Sequence, residues 1–329
     1  MSPMTSRQPP EWAPHEWVWI GFPSHADLWS EDLDAARAEV AAFAELVHAG
    51  GAGEQVRLVA ADPKAAEAAR ALAPWAEVVQ EPFGDIWLRD TGPIVAGGRG
   101  HAFRFNGWGG KYELEGDDDL AARLAGRAGL AVADNNWVLE GGAIDGDGTG
   151  TVVTTRQCLL NPNRNPHLDE AEVERRLRAA LGFTRVVWLE EGLLGDHTDG
   201  HVDNLARFVA EGRVAIPEPG ENDPNWQVYV HALRDAKAAG LEVVTIPSPG
   251  RVLREEEIVP ASYMNFYIGN AAVVVPTYGV ANDAAAVAAI GALFPGRRAV
   301  GLRADHILTG GGSFHCISQQ LPRASEETA

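Results

Sequence analysis

Sulfur is scarce in this sequence, which has two cysteines, Cys158 and Cys316, among 329 residues. Two cysteines form at most one disulfide, so the fold cannot depend on a covalent framework. The opening stretch MSPMTSRQPPEW lacks the charged and then apolar pattern of an export signal. With 46% hydrophobic residues, the chain can bury a core large enough to be stable without disulfide cross-links. We therefore expect a self-sufficient fold in the reducing cytoplasm.

Long apolar runs and positive charge are also in short supply. No run approaches the roughly 18 residues that a membrane-spanning helix needs, and NAAVVVP is only strand-sized. Lysine and arginine number 27 against 46 acidic residues, which gives a net charge of −19. A surface of this sign repels phosphate backbones and anionic lipid heads, so nucleic acid and membranes are poor partners. Besides serving solubility, the charge favours a small cationic ligand.

A pattern of hairpin, amphipathic helix and short apolar strand recurs along the chain. Candidate hairpins span 85–105, 137–160, 200–217 and 262–279, and a half-hairpin at 306–320 can close against 15–23. Alanine-rich helices are predicted within 30–50, 117–129, 168–182, 225–240 and 282–296. A period of roughly fifty to sixty residues indicates a solenoid or a ring of similar units, and the lack of obvious terminal caps favours the ring. We predict an α/β fold and one domain over 1–329, with short flexible tails at about 1–10 and 323–329.

Each hairpin opens with a polar residue where a buried strand would favour an apolar one. These residues are Asp90, Glu140, His201 with Asp203, Asn265 and Cys316. In a ring, equivalent positions of the units meet near the axis. One shared site then replaces several isolated buried charges, each of which would cost several kcal/mol.

The segment GGGSFHCISQQLP (310–322) places Cys316 after a triple-glycine turn that allows close backbone approach. A thiol needs activation to act as a nucleophile, usually by a nearby imidazolium. His315 and Cys316 are adjacent and would face opposite ways on a strand, whereas His201 and Asp203 are two apart and would share a face. We therefore predict that Cys316 is a nucleophile and that His201, not His315, activates it. The alternative is an inert buried thiol, which is our interpretation of Cys158.

Asp90, Trp87 and Trp108 each have two interpretations. Asp90 in RDTGP either caps the turn or faces the site. Trp87 and Trp108 are either ordinary core aromatics or the apolar wall of a pocket for a cation. Glu140 precedes two glycines, the pattern of a side chain aimed inward beside crowded backbone.

The stretch HTDGH at 197–201 raises a metal alternative, because histidines four apart with Asp203 following would suit zinc on a helix. The neighbouring glycines and β-rich sequence argue against a helix, and the glutamate of HExxH is missing, so we expect no metal. Several carboxylates around a thiol fit a cationic electrophile better. Guanidinium is planar and permanently charged, and it bonds to carboxylates through paired hydrogen bonds.

Seven sequence blocks, taken in order, resemble the agmatine deiminase family of guanidine-modifying enzymes, which is related to bacterial-type peptidyl-arginine deiminases. The blocks are WLRDTGP, NGWGGKY, LEGGAIDGDGTGT, CLLNPNRNP, DGHVDN, ASYMNFYIGN and GGGSFHCISQQLP. The resemblance runs from EWAPHEWVWIGFP to the last dozen residues. It implies a five-bladed α/β propeller of pseudo-fivefold ββαβ units, the pentein fold, which works without a cofactor or metal.

The same resemblance implies a role for each candidate residue. Cys316 would be the nucleophile, His201 the general acid and base, Asp90 and Asp203 the guanidinium clamps, and Glu140 the acid beside the reacting centre. Trp87, Trp108, Asn265, Gly311 and Gly312 are expected to line the substrate pocket. The implied reaction converts agmatine to N-carbamoylputrescine and ammonia through a covalent S-alkylthiouronium on Cys316, on a route to putrescine.

The sequence departs from the family pattern at Arg156 and Gln157, where two acidic residues are expected. We predict that these residues lie on an outward strand with oligomer or loop contacts, and a homo-oligomer is compatible with the sequence. The nearest alternative function is deimination of peptidyl-arginine or free arginine. Alternatives of another class are a zinc hydrolase using His197, His201 and Asp203, and a non-catalytic polyamine-binding protein.

Overall fold

The computed structural model describes residues 7–254 and 256–324, along which strands and helices alternate. The strands are β1 (His15–Phe22), β2 (Gln55–Ala60), β3 (Glu77–Gln80), β4 (Ile94–Ala96), β5 (Arg99–Arg104), β6 (Ala131–Val138), β7 (Ile144–Gly146), β8 (Thr151–Thr155), β9 (Arg185–Leu189), β10 (Arg207–Ala210), β11 (Arg213–Pro217), β12 (Glu242–Ile246), β13 (Leu253–Arg254), β14 (Glu257–Ile258), β15 (Tyr267–Ile268), β16 (Ala272–Thr277), β17 (Arg298–Arg303) and β18 (Ser318–Pro322).

The helices range from single turns to four-turn elements. They are α1 (Ala26–Trp29), α2 (Leu33–His48), α3 (Pro63–Leu72), α4 (Leu88–Thr91), α5 (Gly107–Gly110), α6 (Leu120–Arg127), α7 (Arg156–Leu159), α8 (Glu170–Leu181), α9 (Trp226–Ala238), α10 (Asp283–Leu293) and α11 (Asp305–Thr309). Single 3-10 turns lie at Ser30–Asp32, Ala49–Gly51, Gly141–Ala143, Val202–Asn204 and Tyr263–Asn265.

Within the described residues, five sheets share one pairing pattern. Their strand orders are β18-β1-β2-β3, β4-β5-β6, β7-β8-β9, β10-β11-β12 and β15-β16-β17, and β13 pairs separately with β14. In each of the five, the first two strands are antiparallel and the next is parallel to the second. A parallel neighbour requires a crossover, and α2, α6, α8, α9 and α10 supply it in turn.

The crossover helix α8 illustrates why these segments are helical. Asp169 caps its start by accepting a hydrogen bond from the Glu172 N–H at 2.9 Å. Gly182, with a φ of 75°, ends it in the left-handed conformation that favours glycine. The buried side chains recur at helical spacing, at Val173, Leu177, Ala180 and Leu181. One face of the helix therefore packs on its own sheet.

The hydrophobic core is divided among the sheets. The largest cluster joins β1, β2 and β16 with α2, a second joins β7 and β8 with α8, and a third joins β10 and β11 with α9. Helices thus cover the sheets, and polar residues occupy the short segments that precede the first strand of each sheet. The α/β class predicted from the sequence is confirmed, and the first strands of successive sheets recur at the predicted period.

The two ends of the chain meet in one sheet. Strand β18 pairs antiparallel with β1, for example Trp19 opposite Gln319, as the half-hairpin predicts. Of the tails expected at 1–10 and 323–329, residues 1–6 and 325–329 lie outside the described residues. Gln8 donates its backbone N–H to Leu181 O at 3.0 Å, and Arg323 donates to Pro14 O at 2.7 Å. Across 7–254 and 256–324, no helix has both the length and the apolar character that crossing a bilayer demands.

Candidate active site

Short turns carry the predicted polar residues to the entry of each first strand. The turns are α4 before β4, Gly141–Ala143 before β7, Val202–Asn204 before β10, Tyr263–Asn265 before β15, and the segment 311–317 before β18. The candidates in or beside these turns are Asp90, Glu140, His201, Asp203, Asn265 and Cys316, and all are buried. Equivalent positions in repeated sheets explain why residues far apart in the chain come together.

The prediction that His201, Asp203 and Cys316 lie on extended strands is wrong. His201 itself is extended, but a 3-10 turn follows at Val202–Asn204 and β10 begins only after it. Cys316 likewise lies in a turn before β18. Local hydrogen bonds of the turns replace ladder bonds here, so side-chain direction does not follow the two-residue alternation of a strand.

The Cys316 thiol is held by an amide and faces a carboxylate. Asn265 Nδ2 lies 3.0 Å from Cys316 Sγ, and Asp203 Oδ2 lies 3.5 Å from it. Asn265 Oδ1 accepts the backbone N–H groups of His315 and Cys316 at 3.1 and 3.2 Å. Burial raises the pKa of the Cys316 thiol well above its ordinary value, and the Asp203 and Asp90 carboxylates add to the rise. The thiol is therefore neutral at neutral pH in this environment.

Asp90 bonds to two separate elements and faces an imidazole. Its Oδ1 accepts the Gly142 N–H, and its Oδ2 accepts the Trp108 indole N–H, both at 2.9 Å. His201 Nδ1 lies 3.7 Å from Asp90 Oδ1. Burial raises the pKa of Asp90, and His201 counteracts the rise. Burial opposes charge on His201, but Asp90 and Cys158 raise its pKa well above the ordinary range, so an imidazolium forms at neutral pH.

Glu140 is fixed by a fully buried arginine. Its Oε1 accepts a hydrogen bond from Arg164 Nε at 2.8 Å, and neither side chain is exposed. Arg164 also donates to Thr198 O at 2.7 Å. Within the described residues, Glu140 Oε2 and both ring nitrogens of His201 have no hydrogen-bond partner. Buried polar atoms are rarely left unpaired, so these atoms are available to a substrate or water.

Three potential metal-binding side chains lie close together in the described part of the chain. Donor atoms of Glu140, Cys158 and His201 all come within 4.8 Å of one another. A thiolate, an imidazole and a carboxylate are a donor set that zinc accepts. The set predicted as a zinc alternative, His197 with His201 and Asp203, does not meet this distance.

Gly142 occupies the centre of the polar cluster. A Cβ built on it would lie 2.6 Å from His201 Nδ1, 2.9 Å from Asp90 Oδ1 and 3.1 Å from Asp203 Oδ2. Its φ is not in the left-handed region, so space, and not backbone conformation, requires glycine here. The measurement also establishes that the imidazole and both carboxylates border one small volume.

The glycine run before Cys316 packs against an indole. A Cβ on Gly312 would lie 2.6 Å from the Trp87 ring and 3.1 Å from Cys316 Sγ, so the ring and the thiol are neighbours. The Trp87 indole N–H donates to Asp85 Oδ2 at 2.7 Å. Gly311 has a φ of +101°, and a Cβ there would meet no atom within 4 Å. Trp87 and Gly312 therefore lie beside the thiol, whereas Gly311 borders open space.

Sequence reasoning missed several side chains of this cluster. Cys158 was assigned to packing, and it is buried in a hydrophobic cluster, but its thiol also lies beside His201. Arg164 was not singled out, and Gly142 was noted only as a glycine that follows Glu140. Arg164 belongs to the block CLLNPNRNP, but its bond to Glu140 joins two separate segments, so no local pattern marked it.

The prediction that Arg156 and Gln157 lie on an outward strand is wrong. They begin α7, because the Thr155 side chain caps a helical turn directly after β8. Arg156 Nε bonds to Glu190 Oε1 at 3.1 Å, and Gln157 Oε1 accepts the Gly192 N–H at 2.8 Å. These residues tie the turn to the loop that follows β9.

Comparison with known proteins covers nearly the whole chain. The family model of Porphyromonas-type peptidyl-arginine deiminases matches residues 7–322. A Streptomyces coelicolor protein named as a candidate agmatine deiminase is 39% identical over 344 residues, which cover 97% of this chain and 100% of that protein. The solved structure of an Enterococcus faecalis agmatine deiminase, described as catalyzing its reaction, has a TM-score of 0.89 at 30% identity and covers 96% of both chains.

A second solved structure is similar to the same extent. It is a C. jejuni agmatine deiminase in which a cysteine is replaced by serine, with substrate bound, and it has a TM-score of 0.88 at 29% identity over 96% of both chains. The family model and these relatives each match at least 96% of this chain. The chain therefore belongs to the agmatine deiminase family, within the Porphyromonas-type peptidyl-arginine deiminases.

Proposed function

We propose that this chain hydrolyses the guanidinium group of agmatine. The observation that carries the proposal is the convergence of the Cys316 thiol, the His201 imidazole and the Asp90 and Asp203 carboxylates on one buried volume. A thiol supplies the nucleophile, an imidazole moves protons, and paired carboxylates bind a planar cation. The activity named for the E. faecalis and C. jejuni relatives supports the same chemistry.

The carboxylates favour a guanidinium in the site. Asp203 Oδ1 has no hydrogen-bond partner among the described residues, and each oxygen of Asp90 accepts one bond and retains a free lone pair. Cys316 is only 7% exposed, and Trp87 and Trp108 are 6% exposed each. Because the thiol is so enclosed, a small guanidino compound can reach it more easily than an arginine side chain of a folded protein can.

In the first stage, binding of the substrate activates the nucleophile. A guanidinium between Asp90 and Asp203 offsets the two negative charges that raise the pKa of the Cys316 thiol, so the thiol loses its proton to solvent. The thiolate attacks the guanidinium carbon and forms a neutral tetrahedral adduct. His201, which is an imidazolium at rest, protonates one amino group, and ammonia leaves behind a cationic S-alkylthiouronium on Cys316.

In the second stage, the neutral imidazole of His201 takes a proton from water as the oxygen adds to the thiouronium carbon. The C–S bond then breaks, the Cys316 thiolate departs, and the hydroxyl proton ends on ammonia in solution. The product is the ureido compound N-carbamoylputrescine. A carboxylate oxygen of Glu140 lies within 4.8 Å of the imidazole donor atom, where a carboxylate stabilises the charged form of His201.

We further propose roles for the surrounding residues and for the fold. Trp87 and Trp108 form the apolar wall of the pocket. Gly311 and Gly312 allow the substrate to approach the Cys316 thiol. Asn265 orients that thiol through its side-chain amide. The five sheets, with their shared ββαβ order, form the blades of a five-bladed propeller, and residues 1–329 form one catalytic domain. The shared axis of such a ring is where the five turns would converge.

Agmatine, free arginine and a blocked arginyl peptide, assayed for ureido product and ammonia, test the proposed substrate. We expect agmatine to have the highest kcat/KM, and preference for the peptide would instead establish a peptidyl-arginine deiminase. Binding of agmatine without ammonia release would establish a polyamine-binding protein.

The covalent step has its own test. Mass spectrometry of enzyme quenched during turnover should find a substrate-derived adduct on Cys316, and the adduct should remain there in a Cys158→Ser variant. The Cys316→Ser variant should lose turnover by several orders of magnitude while it stays folded, because serine forms no comparable anion. An active Cys316→Ala variant that chelators inhibit would refute the thiol mechanism and support a zinc hydrolase.

A further inference from the structure

A buried chain of charges runs behind the candidate active site and reaches the N-terminal segment. His315 lies between two carboxylates, with Nδ1 2.8 Å from Asp203 Oδ2 and Nε2 2.8 Å from Glu11 Oε1. The side chains of His315 and Asp203 have no exposure, and Glu11 is 8% exposed. Glu11 lies before β1, so the start of the described chain contacts a residue adjacent to Cys316.

Two buried arginines hold Glu11 in place. Arg89 Nη1 donates to Glu11 Oε1 at 2.9 Å, and Arg207 Nη2 bonds to Glu11 Oε2. Arg207 also bonds through Nε to Asp145 Oδ2 at 2.6 Å. Bonds to both oxygens fix the orientation of the Glu11 carboxylate. Glu11 is therefore the shared counter-charge of two guanidinium groups and a hydrogen-bond partner of the His315 ring.

The two carboxylates that face the His315 ring are both ionised. Burial would raise the pKa of Asp203, but the hydrogen bond from His315 lowers it below its ordinary value. Burial likewise opposes charge on Glu11, but Arg207 and Arg89 hold its pKa well below the usual range. Both carboxylates are therefore ionised and accept only. Both ring nitrogens of His315 therefore face carboxylate oxygens that only accept hydrogen bonds, each at 2.8 Å.

We propose that Glu11 and His315 are positioning residues that keep the Asp203 carboxylate ionised and oriented toward the guanidinium. The proposal rests on the proposed function, because it takes Asp203 as a guanidinium clamp. Neither residue touches the substrate. His315 occupies Asp203 Oδ2, and within the described residues Oδ1 stays unpaired for the substrate. In this arrangement the His315 ring donates to both carboxylates and so carries two protons, because a neutral imidazole has a single N–H. Without the Glu11 charge the ring no longer donates to a second carboxylate, and its hydrogen bond to Asp203 loses its charge assistance.

A double-mutant cycle tests this relay. Glu11→Gln keeps the shape and removes the charge, and we expect kcat/KM for agmatine to fall about tenfold, mostly through KM, because a charge-assisted hydrogen bond is roughly twice as strong as a neutral one. In an Asp203→Asn background the same change should cost less than about twofold. Glu54→Gln is the matched control, since Glu54 is a buried acid 3.0 Å from His15 that bonds to none of the candidate site residues. It should lower stability and leave KM unchanged.

Nitrogen-15 spectra of the histidine rings provide the second readout. At about pH 8, above the ordinary range of histidine, both ring nitrogens of wild-type His315 should be protonated, with the signals assigned by their loss in His315→Gln. One nitrogen should lose its proton in Glu11→Gln. A neutral ring in the wild type, or additive effects in the cycle, would overturn the relay. The wild-type spectrum decides the matter even if Glu11→Gln fails to fold. It also does not depend on turnover, so a wild type inactive on agmatine would refute the proposed substrate without refuting the charge relay.

Discussion

Replacement of Gly142 by alanine directly tests whether the candidate residues act as one site. The added Cβ would lie 2.6 Å from His201 Nδ1, against the 3.4 Å or more of an ordinary contact. The imidazole would therefore have to retreat by about 0.8 Å, and Asp90 Oδ1, at 2.9 Å, by about 0.5 Å. His201 is fully buried, so its ring cannot retreat into solvent.

The expected loss follows from these displacements. Misplacement of catalytic groups by about 1 Å costs on the order of a hundredfold in rate. We therefore expect Gly142→Ala to lower kcat/KM for agmatine about a hundredfold. Overpacking should also lower the free energy of unfolding by about 1–3 kcal/mol. The fold should persist, because the new methyl group meets side chains, and not backbone, at its three shortest contacts.

The assay is ammonia release, with unfolding in urea measured on the same preparations. Gly126→Ala is the matched control, since a Cβ there meets nothing within 4 Å and the residue lies inside α6. It should gain about 1 kcal/mol of stability, because alanine is the better helix former, and keep its activity. A Gly142→Ala enzyme with wild-type kcat/KM would refute the assignment of this volume to catalysis.

Three further predictions concern buried charges. Asp203→Asn removes a carboxylate that raises the pKa of the Cys316 thiol, so alkylation by iodoacetamide at neutral pH should become faster although turnover falls, and slower alkylation would contradict the electrostatic account. Arg164→Met leaves a buried carboxylate unpaired and should lower the free energy of unfolding by about 3–5 kcal/mol in urea titrations. Burial raises the pKa of Asp117 to about 7, so its ionisation destabilises the fold as pH rises from about 4 to 7. Asp117→Asn should therefore stabilise the protein by up to about 4 kcal/mol at pH 8, which is about 3 kcal/mol more than its gain at pH 5, and an equal gain at both values would be evidence against the raised pKa.

Much of the fold and the family was predictable from short-range signals. Apolar periodicity indicated the strands and the five long crossover helices, and the seven sequence blocks indicated the family that the comparisons confirm. Helix α3 was missed, because its buried face consists of the alanines Ala65, Ala66 and Ala69 and of no large apolar residue, although Asp62 followed by Pro63 is a helix start signal that the sequence carries. The turns around His201 and Cys316 were also mistaken for strands, because their conformation depends on what they pack against.

By itself, the sequence determined which residue types can do chemistry and which elements recur, because side-chain identity and hydrophobic periodicity are local properties. It also suggested that the polar residues at the hairpin openings belong together, since isolated buried charges are costly. Only the tertiary structure decided which atoms touch: the Gly142 position bordered by His201 and two carboxylates, and the Glu11 carboxylate bound to His315. Such contacts depend on sub-ångström packing between segments far apart in the chain, and no local pattern encodes that distance.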